Sequence, residues 1–104
     1  MSHLSSIPLW LGKEIGPFRQ CVSRAVIFGS VATGSRTPSD CDLILVSHCA
    51  HDSLEWQALR KQIERLTCLF VNTFEIPLSV VLLTKAEEVE IRPILICDDN
   101  YIDL

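Results

Sequence analysis

The chain has 104 residues, a length that fits one domain with a real hydrophobic core, and no second substrate domain is expected within it. Apolar residues make up 48% of the chain and its four glycines and five prolines are scattered, which excludes a disordered or fibrous protein. A net charge of −4 and a pI near 5.2 argue against a general nucleic-acid groove, because phosphate-tracking proteins present a strongly basic face.

The opening Met1-Ser2-His3-Leu4 lacks the basic stretch and apolar run of a signal peptide, and no apolar run approaches membrane-spanning length. A cytoplasmic protein without membrane association is expected. Trp10, Leu11, Ile15 and Phe18 recur at helical spacing, so a first helix is expected over residues 8–22, weakened or divided by Gly16-Pro17. Ala25-Val26-Ile27-Phe28 is a short apolar run stopped by Gly29 and reads as a buried strand. Residues 29–40 are rich in Gly, Ser and Thr and read as a loop carrying about one helical turn. Leu43-Ile44-Leu45-Val46, preceded by Asp42, is the second strand.

Asp52 stands in N-cap position with Glu55 three residues on, as in a capping box. Trp56, Leu59, Ile63, Leu66 and Phe70 follow at alternating steps of three and four, the clearest helix in the chain, with Arg60, Lys61, Glu64 and Arg65 on its solvated faces. A third strand is expected at residues 78–83 and a short helix at 85–90. Residues 93–97 and 101–104 read as a strand or hairpin turned by Asp98-Asp99-Asn100. These elements describe a single α/β (α+β) domain over residues 1–104, a small mixed sheet flanked by helices. The strands near Ala25, Asp42 and Leu78 should be neighbours in it, with the 56–70 helix packed on the sheet.

Five cysteines, an odd number with no C-x-x-C pair, read as reduced structural residues. His3, His48 and His51 receive no role. The informative segment is Val26 to Val46. A Gly29-Ser30 pair at the end of a buried strand lets the backbone approach a phosphate closely, with amide hydrogens and the Ser30 hydroxyl as donors, and Gly34 lets the loop turn back. Gly29 and Gly34 have the separation of a P-loop, but Ser35-Arg36 stands where Lys and Ser/Thr are required. Along an extended strand Asp40 and Asp42 point to one face, their Cα atoms about 6.6 Å apart. Two carboxylates so placed can share a hard divalent ion such as Mg²⁺, which bridges triphosphate oxygens. Alone, an Asp-x-Asp is a turn and strand-start feature; anchored at a fixed offset to strand, Gly-Ser and loop, it points to a site.

Phe28-Gly29-Ser30, Gly34 and Ser39-Asp40-Cys41-Asp42-Leu43, in this order and spacing, resemble the DNA polymerase β-like nucleotidyltransferase superfamily, specifically its minimal bacterial and archaeal members. The order of elements extends that resemblance over most of the chain. It implies the polymerase β-like fold, with Gly29, Ser30, Gly34 and Ser39 holding a nucleoside triphosphate, ATP above others, and Asp40 and Asp42 as catalytic ligands of Mg²⁺ or Mn²⁺. The implied reaction transfers a nucleoside monophosphate to a hydroxyl of a partner protein or other acceptor, releasing pyrophosphate. It also implies pairing, as antitoxin to toxin, with an all-helical HEPN-type protein, and leaves a homo-oligomer open.

Two departures stand against the pattern. The family's third aspartate, which helps bind the catalytic metal and can take the acceptor's proton, is matched by Ser79 in Leu78-Ser79-Val80-Val81, and a serine supplies neither charge nor a base at neutral pH. Glu75 lies about 13 Å away along an extended strand, and Asp98 or Asp99 could substitute only if the C-terminal segment folds back. Val31 stands where many relatives carry Arg. Two functions are therefore carried: an active nucleotidyltransferase, and a weak or inactive relative serving as antitoxin or regulatory module. An aminoglycoside-modifying enzyme is a third reading, disfavoured because such relatives use additional chain to hold the antibiotic.

Overall fold

The computed structural model describes residues 6–29, 31, 40–50, 53–95 and 101–104, apart from the side chains of residues 91–95 and 101. Helix α1, Ile7–Ile15, carries Pro8 in its first turn, where the missing N–H has no helical partner to lose. Its buried stripe is Ile7, Leu11 and Ile15, at steps of four. The helix expected over 8–22 is shorter, because Gly16-Pro17 diverts the chain into a 3₁₀ helix, Gly16–Cys21, in which Phe18 leaves helical backbone at φ −119°. The chain is already extended at Val22.

Four strands form one mixed sheet: β1 (Val22–Phe28), β2 (Cys41–Ser47), β3 (Leu78–Thr84) and β4 (Tyr101–Asp103), in the order β3-β2-β1-β4. β1 pairs antiparallel with β2 and with β4, whereas β2 and β3 are parallel. The parallel step requires a long crossover, supplied by helix α2, Leu54–Phe74. The first two strands outrun their apolar cores, expected at 25–28 and 43–46, because hairpin pairing continues to Val22 and Ser47.

Period two divides the sheet's side chains between its faces. Ala25, Ile27, Cys41, Leu43, Leu45 and Leu78 join Ile7, Leu11 and Ile15 of α1 and Leu59, Leu66, Phe70 and Phe74 of α2 in the larger core. Trp10 meets Phe70 and Phe74 edge-on, with ring centroids 5.7 and 5.4 Å apart, which fixes α1 against the end of α2. On the opposite face Ile44, Val46 and Leu83 form a smaller cluster with Phe28 and Val81. Helix α3, Lys85–Leu95, lies on this second side, where Glu88 pairs with Arg24, the strand partner of Val46.

Local chemistry departs from expectation at three places. The cap of α2 is Ser53, whose Oγ accepts from the Trp56 N–H at 3.1 Å, so Glu55 occupies the second helical position rather than closing a capping box with Asp52. A reciprocal box is found at α3 instead: the Thr84 N–H donates to Glu87 Oε1 at 3.0 Å, and the Glu87 N–H donates to Thr84 Oγ1 at 3.2 Å. That box fixes the start of α3, which runs to Leu95, through Pro93, where a strand was expected; in the last turn the proline forfeits one backbone bond. Tyr101–Asp103 is a strand, but its partner is β1 rather than a neighbouring hairpin arm. The expected turn at 98–100 lies outside the described residues. Among the described residues no helix is long and apolar enough to cross a membrane.

Candidate functional site

The C-terminal end of β1 and the N-terminal ends of β2 and β3 meet at one end of the sheet. Phe28 pairs with Asp42, and Asp42 pairs in turn with Ser79. The Cys41 N–H donates to the Pro77 carbonyl at 2.9 Å, which pins the start of β2 to the start of β3. Partners across a sheet share a face, so Asp42 and Ser79 lie side by side on the α3 side, and alternation puts Asp40 on the same side with Cys41 turned into the larger core.

Gly29 sits at φ +78°, a backbone conformation that glycine adopts without penalty. A Cβ at this position would stand 2.6 Å from Asp42 Oδ2, well inside contact distance. Two independent requirements for glycine therefore meet here, one from the backbone and one from the carboxylate laid against it. Val31 is half-buried and packs against the larger core, so the side chain at this position is spent on packing.

Burial raises the Asp42 carboxyl above its ordinary value, and the neighbouring negative charge of Asp40 adds to the shift. Both causes disfavour the charged form, and a divalent cation shared between the two carboxylates would relieve the repulsion while supplying the lost solvation. The donor set is thus hard, anionic and suited to Mg²⁺ or Mn²⁺. It is also small: among the described residues no group of three or more His, Cys, Asp or Glu is placed to hold a metal. Burial, then the Asp42 and Asp40 charges, push the Cys41 thiol up to about 12, which keeps it protonated and inert beneath the pair.

Of the residues to which the sequence points, Gly29, Asp40, Asp42 and Ser79 gather at this corner. Ser30, Gly34 and Ser39 lie outside the described residues, as do Asp98 and Asp99. Glu75 is exposed at the end of α2, its backbone at φ +62°. At the far end of the hairpin, burial and the hydrogen-bonded Cys49 thiol raise the Cys21 thiol.

Sequence reasoning missed a groove of about 370 Å³ between α2 and β3, lined by Trp56, Arg60, Ile63, Glu64, Val80 and Leu82. Its signal was partial: Arg60 and Glu64 read as solvated, and only the placement of α2 over the strand sets them on one rim. No family model, curated protein or solved structure matches the chain.

Proposed function

We propose that the protein is a nucleotidyltransferase-type domain that binds a nucleoside triphosphate, ATP above others, with Mg²⁺ or Mn²⁺, and transfers a nucleoside monophosphate to a hydroxyl. The observation that carries this reading is the seating of Asp42 Oδ2 against Gly29, at the place where the end of β1 and the Asp40-Cys41-Asp42 start of β2 converge. A carboxylate pair beside a glycine that leaves room for close approach is what a metal-bound triphosphate needs.

Asp40 and Asp42 would hold the cation, and Gly29 with Ser30 would cradle phosphate oxygens. The bound cation would neutralise charge on the triphosphate. The acceptor oxygen then forms its bond to the α-phosphorus as the bond from that phosphorus to the β-bridging oxygen breaks, and pyrophosphate leaves. The proton of the acceptor hydroxyl is the difficulty. In the family's pattern a third carboxylate can take it, but Ser79 stands beside Asp42 in register, and its hydroxyl is no base at neutral pH.

That register favours a second reading, a catalytically weak or inactive domain that binds nucleotide or its partner and acts as an antitoxin or regulatory module. The partner under either reading is an all-helical HEPN-type protein. The two readings separate on one experiment. With α-labelled ATP and a co-purified partner, wild type should label slowly or not at all, Ser79→Asp should label faster, and Asp42→Asn should not label. Robust wild-type labelling lost in Asp42→Asn would remove the inactive reading. If ATP with Mg²⁺ raises the melting temperature of Asp42→Asn as much as that of wild type, the site itself is wrong.

A further inference from the structure

β3 is an edge strand, with a neighbour on one side only among the described residues. Edge strands usually carry a guard against further pairing, such as a charge, a proline, a bulge or short length. The opposite edge, β4, is three residues long and holds Asp103 against Arg24. β3 has seven residues, Leu78-Ser79-Val80-Val81-Leu82-Leu83-Thr84, without a charge or a proline, and its pairing with β2 is unbroken from Leu78 to Thr84. Beside it runs the groove floored by Trp56, Ile63, Val80 and Leu82.

The rim of that groove carries one charge of each sign, Arg60 and Glu64, both exposed and four residues apart on α2. We infer that β3 pairs antiparallel with β3 of a second copy, joining two sheets into one of eight strands, with Arg60 of each chain facing Glu64 of the other. An isologous two-fold contact brings residue i to j and j to i, so a patch carrying one cation and one anion is complementary to itself. The geometry agrees. α2 leads into β3 through the short turn 75–77 and runs back along it, and the groove sets the pair 60/64 beside Val80 and Leu82. A two-fold axis through Val81, between Val80 and Leu82, would bring the Arg60/Glu64 rim of one copy to the same rim of the other. Val80 and Leu82, half-buried in one copy, would lose their remaining water in two.

This inference is independent of the nucleotide site, and Arg60 and Glu64 are exposed helix residues whose exchange leaves the core untouched. Sedimentation across a concentration series should show a monomer–dimer equilibrium for wild type, with the β3 amides slowed in hydrogen exchange as the dimer fills. Arg60→Glu sets like charges together twice and should weaken dimerisation at least about tenfold, as should Glu64→Arg. The double exchange, Arg60→Glu with Glu64→Arg, should restore it to within about threefold. A wild type that stays monomeric overturns the proposal and leaves the edge to a strand of another protein. A dimer indifferent to Arg60→Glu, or one that the double exchange does not restore, overturns it equally.

Discussion

On one face of the sheet Leu43 and Leu45 lie under Ile7, Leu11, Leu59 and Phe70, all buried to 2% exposure or less. On the other face the same strand presents Asp42, Ile44 and Val46, and the apolar cluster there is smaller. β2 thus serves both purposes by alternation: odd positions build the core, and even positions lead from a small cluster to a carboxylate. Where a chain holds a charge it would rather neutralise, stability supplied elsewhere must hold the charge in place. The thick face supplies that stability for the site on the thin one.

Breaking the thick face should have the largest effect. Phe70 is fully buried, and its ring meets Trp10 and, at 4.8 Å between centroids, Phe74. Phe70→Ala should cost about 3–5 kcal/mol from the removed ring and the cavity it leaves. For a marginally stable domain that is a large fraction of the whole. Denaturant unfolding would measure it; a loss below about 1 kcal/mol would mean that α1 and α2 collapse into the gap and that the face is less rigid than its packing implies.

Neutralising Asp42 should separate the two faces by sign. Its carboxyl is raised in the folded protein, so the folded state holds the proton more tightly than the unfolded one, and stability falls as pH rises through the raised value. Above that window the charged group is a net cost. Asp42→Asn should therefore melt higher than wild type at neutral pH without ligand, and lose that advantage in acid. Under the proposed function, ATP with Mg²⁺ should stabilise wild type by about 2.7 kcal/mol at a hundredfold excess over the dissociation constant, and the same variant should lack that gain. Melting curves across pH, with and without nucleotide, read both effects. A variant less stable than wild type at neutral pH would show that the carboxylate is favourable where it stands.

Much of this division could be read from the residues. The apolar runs in β1, β2 and β3 and the stripe from Trp56 to Phe70 located three strands and the main helix, because burial on a face leaves a period in the sequence. Caps were less legible. Ser53 and Asp52 are both good N-caps, and the choice depends on one residue of phase. Thr84-Lys85-Ala86-Glu87 carries a capping-box signature that marks the start of α3 but not its end, and Pro93 pointed to an earlier stop than Leu95. The partners of a strand leave no local trace, so the pairing of Tyr101–Asp103 with β1, which sets Val26 opposite Asp103 and Phe28 opposite Tyr101, came only with the fold. At the site, the offset from Gly29 to Asp42 was legible as a motif. That Asp42 Oδ2 lies where a Cβ of residue 29 would be was not, since it follows from the β1–β2 register.

The smallest effect sharpens the comparison from a third place, the turn between the two. Glu75 ends α2 in the left-handed region at φ +62°, with its N–H donating to the Val71 carbonyl at 2.9 Å. Glycine is the usual residue there, because a Cβ in this conformation crowds the backbone. Glu75→Gly removes that crowding but gives the unfolded chain more freedom, so the net gain should be about 0.5–1 kcal/mol. For a domain of this size that corresponds to a rise of several degrees in melting temperature. The substitution also removes the acid nearest in sequence to Ser79. If Glu75 is only a helix cap, the Asp42-dependent shift with ATP and Mg²⁺ should be the same in Glu75→Gly as in wild type, added to the higher baseline. A diminished shift would mean that the Glu75 carboxylate reaches the site on ligand binding and stands in for the third aspartate, and the serine at position 79 would then be a relocation of the acid rather than its loss.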